Sequence, residues 1–343
     1  MNFSKVIFLS VSLVTLMSAC STTGLGQVPK TRENYNKAID TSENEQFLLN
    51  IVRMHYGNSP YFVGVDSVTT QSTLRTKVEA QMFTDRNAVM AGPFWNIAPT
   101  IEFTEAPTIT YTPLQGTKYV SGMMAPLTLD RVGLLQSSGW DLPTVLKLSI
   151  NRIGVLNNSE VSRHVVDGGS SDNPEFSNFV DQLTRLGQKG AITHSLTSYR
   201  DHPAILLQTT PEAGMQISNM LHLKHNYTQF IFSQYAVNLP GTPENIVYMQ
   251  TRSLLGILNY LANYVPDDES NQQKQTKGSF YALVSNSEPA NAVVKINYRG
   301  KWYYIANDDA TSKSILILLK VIYSLQLGDI KANLPMVVIP VGR

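Results

Sequence analysis

Cys20 is the only cysteine among 343 residues. No disulfide can form within such a chain, so the fold must be held by a buried apolar core and by satisfied backbone hydrogen bonds. The position of that cysteine is equally restrictive. Met1 to Lys5 carries one positive charge, Val6 to Met17 is the apolar run "VIFLSVSLVTLM", and Ser18 and Ala19 are small. These three zones read as a secretory signal over 1–19, too short to span a bilayer as a mature anchor.

Leu16, Met17, Ser18, Ala19 and Cys20 resemble the lipobox of bacterial lipoproteins, with Met17 standing where Leu is commonest. The resemblance implies a diacylglycerol on the Cys20 sulfur, cleavage before Cys20 and acylation of the new amine. Each buried CH₂ contributes roughly 0.8 kcal/mol, so one acyl chain holds a protein marginally and two or three hold it stably. An ordinary secretory signal would instead leave a free thiol in an oxidising compartment. Ser21 lacks the Asp that retains enterobacterial lipoproteins at the inner membrane. The resemblance therefore implies the outer membrane, with lipid as the first partner through Cys20 and the chain on the periplasmic side.

Removing the signal removes Lys5 and no acid. Basic and acidic residues, 27 and 26 in the whole chain, then become equal in number. That argues against nucleic acid as a partner, because such domains concentrate positive charge. With 43% hydrophobic and 15% charged residues, the chain can build a sizeable core. No second stretch approaches the roughly 18 apolar residues of a span. The nearest, "SILILLKVIYSLQLG" at 314–328, is broken by Lys320. Sixteen Tyr and three Trp show no aromatic-girdle pattern, so no membrane barrel is expected.

Periodicity divides the rest. Residues 20–40 are polar and weakly periodic and read as a tether. Ser42 and Glu45 make a capping-box spacing, after which Leu48, Ile51, Val52 and His55 share a helical face that ends at Gly57. His55 is expected to be a core-edge histidine. Strand patterns follow at 61–71 and 100–113, with Pro107 at an edge or bend. Asp141 is placed to cap a helix over "LPTVLKLSINRIGVL". The Gly, Ser, Asn and Asp-rich segment 157–174 reads as a boundary between a 41–157 subdomain and a 175–343 subdomain.

In the second part the patterns predict helices near 175–187, 211–223 and 250–265, and strands near 191–198, 204–209 and 228–237. Residues 266–279 form a polar insertion. The end reads strand ("AVVKINY"), an Arg299-Gly300 turn, strand ("KWYYIAND"), a buried helix near 310–327 and a last strand, "PMVVIPVG". The fold class is α+β: mixed or antiparallel sheets packed with several helices, as one large domain or two subdomains.

The chain has no G-x-S-x-G elbow, no Walker A loop and no G-x-G-x-x-G after a strand, so no enzyme is expected and no cofactor is implied. His222 and His225 have a spacing that fits one helical face, yet a zinc site needs a third ligand and no cysteine can supply it, so no metal site is assigned. His194 and Ser195 are strand neighbours pointing to opposite faces. The densest candidate patch is Arg299, Trp302, Tyr304, Asp308 and Asp309. It reads as a ligand or cation site beside aromatic rings, or as a helix cap by Asp308 or Asp309, and the cap is favoured.

Two further stretches, "TRSLLGILNYLANYV" at 251–265 and "AVVKINYRGKWYYIANDDATSKSILILLKVIYSLQLG" at 292–328, are similar to a family of uncharacterised proteobacterial lipoproteins. "LLNIVRMHYGNSPYF" at 48–62 and "PTITYTPLQG" at 107–116 resemble the same family, whereas the polar insertion at 266–279 departs from it. The resemblance implies lipidation and an envelope location but no activity. The leading expectation is a structural or interaction protein, an accessory within an envelope protein complex at the outer membrane. Alternatives are a periplasmic small-ligand binding module and a hydrolase with a convergent site.

Overall fold

The helix expected after Ser42 is longer than its capping box suggests. In the computed structural model, which describes residues 27–83, 94–158, 173–235, 242–270, 280–331 and 337–339, helix α1 runs from Gln27 to His55 without interruption. Much of the expected tether is therefore helical. Once a helix is nucleated, each added residue gains a hydrogen bond, so a polar stretch without glycine can continue it. Its outer turns are tied down by Lys320, whose Nζ lies 2.6 Å from Asp40 Oδ1 and 3.1 Å from Asn44 Oδ1. The inner turns bury Leu48, Ile51 and Val52 completely. Asn50 then receives the returning chain: its Nδ2 donates to the Tyr61 carbonyl, and its Oδ1 accepts from the Tyr61 N–H.

The chain forms two compact units, Met1–Tyr61 with Gly116–Asp329 and Phe62–Gln115 with Ile330–Arg343. This differs from the division into 41–157 and 175–343 read from the sequence. The reason is a sheet that draws on both sides of that boundary. In the larger unit, helices α2 (Thr117–Met124), α3 (Leu129–Ser137) and α4 (Leu142–Ser149) are followed by strands β3 (Ile150–Ile153) and β4 (Leu156–Asn157). The smaller unit supplies β1 and β2, described below. After residues 159–172, which lie outside the described residues, come α5 (Pro174–Gln188), β5 (Ile192–Tyr199), β6 (His202–Thr209), α6 (Pro211–Met220), β7 (Gln229–Ser233) and β8 (Ile246–Thr251). The sheet order is β4-β3-β8-β7-β6-β5, with β7 and β8 parallel and the other neighbours antiparallel.

Two expectations shift here. The helix capped by Asp141, whose Oδ2 accepts from the Thr144 N–H at 3.0 Å, stops at Ser149. Ile150 then pairs with Thr251. Strand β8 itself occupies residues assigned partly to the following helix, which is α7 (Leu254–Ala262), capped by Ser253. Pairing with β3 and β7 decides both boundaries, since local pattern alone does not separate a short buried strand from a helix end.

A second sheet, order β10-β11-β9, joins β9 (Leu283–Ser285), β10 (Ala292–Tyr298) and β11 (Lys301–Ala306). Helix α1 packs on α7 and on β10. Helix α8 (Ala310–Lys331) buries Leu318, Leu319 and Ile322 fully, while Ile317 is 53% exposed. The all-round apolar reading of α8 is therefore met on one side only. Burying each such side chain contributes roughly 1.5–3 kcal/mol, which is the main support of a chain without disulfides. Ala310–Leu327 is long and apolar enough to cross a membrane, yet half of it is buried in the fold.

The smaller unit is a three-stranded antiparallel sheet, over most of its length a two-stranded ribbon. Strands β1 (Val63–Phe83) and β2 (Phe94–Pro113) pair from Val63↔Pro113 to Phe83↔Phe94, with one register shift at Val65/Ser67. Among the described residues, strand β12 (Val337–Ile339) pairs with β2 at Ile109, Thr110 and Tyr111, which gives the order β1-β2-β12. Pro107 thus stands in a continuous strand whose other side is unpaired at that point among the described residues, the place a sheet tolerates proline.

Candidate functional site

The five residues of the sequence-derived patch do not converge. Arg299 (φ 53°) and Gly300 (φ 80°) form the two-residue turn between β10 and β11. Left-handed backbone at both positions suits a hairpin turn whose twist matches its strands. The turn aims Arg299 at the end of α1, where its guanidinium lies 4.5 Å from the Tyr56 ring centroid and 5.7 Å from that of Tyr298. Trp302 and Tyr304 alternate with the fully buried Tyr303 and Ile305, so they occupy the opposite face of β11. There Lys295 Nζ sits 6.0 Å from the Trp302 ring and pairs with Glu288 at 2.7 Å. Asp309 caps α8, its Oδ1 accepting from the Ser312 N–H at 2.9 Å. Asp308 is exposed. The cap reading is the one the geometry supports.

Around Arg299 a different cluster forms, which the sequence did not reveal because its members are far apart in the chain. The Asn58 side chain donates to the Tyr298 hydroxyl at 2.8 Å, and the Tyr56 and Tyr303 hydroxyls hydrogen-bond to one another. Burial, then the Tyr56 contact, raises the Tyr303 pKa far above that of a free phenol. His55 Nδ1 meets the Ala262 carbonyl at 3.1 Å and Nε2 meets Asp267 Oδ1 at 2.9 Å. An Asp–His pair can orient a general base, but only if the second ring nitrogen is free to take a proton from a nucleophile. Here that nitrogen is engaged by a backbone carbonyl. The cluster joins α1, α7 and the β10–β11 turn, and it holds the first residues of the polar insertion: Lys301 Nζ also donates to the Asp267 carbonyl at 2.7 Å. Residues 271–279 of the insertion lie outside the described residues.

Among the described residues the remaining histidines are dispersed. His222 has φ 56° just beyond α6, and His225 Nδ1 lies 3.4 Å from Glu244, so the pair is not on one helical face. Among the described residues no three metal-ligating side chains come together. His194 Nε2 lies 2.8 Å from Gln136 Oε1 at a cavity between the six-stranded sheet and helices α3, α4 and α5. The cavity holds about 80 Å³ and is lined mainly by apolar side chains such as Val145, Phe179, Leu183 and Phe232. Small-molecule sites run to roughly 300–1,000 Å³. A void of this size is a packing gap and not a pocket for a metabolite.

The ribbon of the smaller unit separates apolar from polar positions. Alternate rungs read Leu74–Phe103, Thr76–Ile101, Val78–Pro99, Ala80–Ile97 and Met82–Trp95. The rungs between them read Thr73–Thr104, Arg75–Glu102, Lys77–Thr100, Glu79–Ala98 and Gln81–Asn96. Consecutive strand positions belong to opposite faces, so one set of positions is apolar except for Thr76. The other is polar except for Ala98 and the final Phe83–Phe94 rung. At about 3.3 Å per residue the ladder is about 65 Å long. A two-stranded ribbon is marginal by itself in water, and among the described residues no strand pairs with its edges except β12, which covers three positions of β2. The sequence carried the signal in "TLRTKVEAQMF" at 73–83, where polar and apolar residues alternate.

Cys20 lies outside the described residues. Compared with family models, curated proteins and solved structures, the chain matches none.

Proposed function

We propose that this chain is a lipid-anchored protein of the bacterial outer membrane that works by assembling with other protein, without a catalytic centre of its own. The observation that carries the reading is the ribbon of β1 and β2, whose edges, apart from the three positions that β12 covers, pair with no other strand among the described residues and whose one set of positions is apolar, a surface that suits a partner. The signal-like N-terminus and the lipobox-like Cys20 supply the membrane address, and the resemblance to envelope lipoproteins agrees with it. The small-ligand alternative is the weaker one, since the cavity beside His194 is about 80 Å³ and the patch at Arg299 and Trp302 is split between two faces.

The test compares the lipidated full chain with a variant in which Asn-Gly joins Thr73 directly to Thr104, shortening the ribbon at an existing rung. The full chain is expected to migrate in mild detergent as an assembly, and the shortened chain as a monomer with an unchanged melting temperature. Cys20→Ser should leave the protein unprocessed or soluble. A full chain that is monomeric and partnerless both in membranes and in detergent overturns the assembly reading. Mass spectrometry showing a processed but unacylated N-terminus overturns the anchor.

A further inference from the structure

The ten rungs from Leu74↔Phe103 to Phe83↔Phe94 are bounded chemically as well as geometrically. All four charged residues of this segment, Arg75, Lys77, Glu79 and Glu102, fall in the polar set of positions. The apolar set continues until Ser72 pairs with Glu105, which ends it. Ten residues per strand is the length of a transmembrane β-strand. At a tilt near 40° a strand of about 33 Å rises about 25 Å, the height of the apolar band of an outer-membrane barrel. Within the apolar set Trp95 lies at one end of the segment and Phe103 at the other, where aromatic girdles stand in such barrels; the Phe83–Phe94 rung belongs to the polar set and closes it at the Trp95 end. Whole-chain composition hid this pattern, because the aromatic residues of the larger unit outnumber those of the ribbon.

Resting on the assembly reading above, we propose that copies of this chain join their ribbons edge to edge into a closed β-barrel that crosses a lipid bilayer, with the polar set of positions facing a water-filled lumen. Backbone groups cannot be left unpaired in hydrocarbon, so a lone ribbon cannot enter a membrane and closure by further copies is obligatory. The smallest such barrels have about eight strands, which sets a minimum of about four copies. Pro99 lacks an N–H, so each copy has one backbone donor fewer than the length of its strands allows. The Cys20 anchor would hold each copy at the bilayer before assembly. The polar set balances two basic residues against two acidic ones, so the lumen of the natural chain should discriminate weakly between small ions.

The lipidated full chain is purified in mild detergent, sized by light scattering and reconstituted into vesicles of phosphatidylethanolamine and phosphatidylglycerol that entrap a fluorescent dye. A parallel sample is placed in a planar bilayer across a potassium chloride gradient. The expected result is a complex of about four or more copies, dye release and discrete conductance steps. Lys77→Glu should shift the reversal potential towards cation selectivity with the same mass. Ile97→Asp, in the apolar set, should cut dye release at least about tenfold, while Thr100→Asp in the polar set should not. The melting transition of the larger unit checks that each variant is folded.

A detergent-free soluble dimer without conductance would mean that two ribbons cover each other's apolar faces in water, and it overturns the barrel. A ribbon-dependent complex with a different protein, again without conductance, overturns the barrel and leaves the assembly reading standing. A partnerless monomer overturns both.

Discussion

The guanidinium of Arg252 lies 4.0 Å from the ring centroid of Tyr260, and the Arg252 Nη1 donates to the carbonyls of Lys147, Leu148 and Ile150 at 2.7, 3.1 and 2.8 Å. Arg252 is buried and stands in the "TRSLLG" stretch just before α7. Those carbonyls are at the C-terminal end of α4 and the start of β3, where a helix leaves acceptors unsatisfied and its dipole favours a cation. The residue therefore serves the junction of α4, β3, β8 and α7.

Replacing Arg252 by Ala should cost about 3 kcal/mol, from charge-assisted hydrogen bonds to buried acceptors and the lost stacking on Tyr260. Arg252→Lys should recover part of this, because an ammonium keeps the charge but not the planar fork. Urea denaturation of the two variants checks it. A lysine variant as stable as the natural chain would show that charge alone suffices.

Gly214 lies within α6, and a Cβ there would stand 2.0 Å from the Tyr227 carbonyl oxygen and 2.7 Å from Thr209 Oγ1. Alanine normally stabilises a helix by up to about 1 kcal/mol over glycine. Here backbone must move, so Gly214→Ala should lower stability by 2 kcal/mol or more, a rough figure for overpacking. At Gly133 the added Cβ would meet Leu196 Cδ2 at 2.8 Å. Leu196 is 52% exposed and can turn away, so Gly133→Ala should be close to neutral. Thermal melts of the two variants test the contrast.

Asp309→Ala should cost about 1 kcal/mol and Asp309→Asn much less, because an asparagine side chain also accepts from the N–H that Asp309 holds. Substitutions at the exposed Asp308 should stay within about 0.5 kcal/mol. If a divalent cation raised the melting temperature of the natural chain and of neither Asn variant, the pair would be a cation site instead of a cap.

Burial pushes the Tyr119 hydroxyl up to about 12 and the neighbouring Tyr323 hydroxyl higher still, from an ordinary value of 10.0. For a phenol the raised value means that the folded protein keeps its proton where the unfolded chain has lost it. The contribution is fully present below pH 10.0 and declines as pH rises through the folded value of about 12. Stability should therefore fall between those limits, and Tyr119→Phe should flatten the fall. Ultraviolet titration should show these phenolates appearing together with unfolding. Ionisation of Tyr119 in the native state near the ordinary phenol value would contradict the assignment.

Local chemistry was enough for several elements. Asp141 accepts a hydrogen bond at the start of the helix it precedes, because capping involves only residues close in sequence. The Arg299-Gly300 turn, the α8 start and the stripe of Leu254, Ile257, Leu258 and Leu261 were legible for the same reason. The class of fold followed from alternating helix and strand patterns. The expectation of an anchor at Cys20 came from the signal-like run before it and the lipobox resemblance, a statement about the chain and not about its packing.

Tertiary structure decided what long-range pairing decides. Strand β8 exists because Met249 meets Ile153 and Val247 meets Phe232 in the six-stranded sheet. Arg252 is drawn inward by carbonyls more than a hundred positions away. Arg299 and Trp302, three residues apart, part company because strand faces alternate and the turn bends towards Tyr56. The ribbon shows the division most clearly. Its alternation is written in residues 73–83, but only the register against 94–104 shows that apolar positions face apolar positions and charged positions fall on the other side. A period of two says that a strand has two faces; pairing alone says which residues share one.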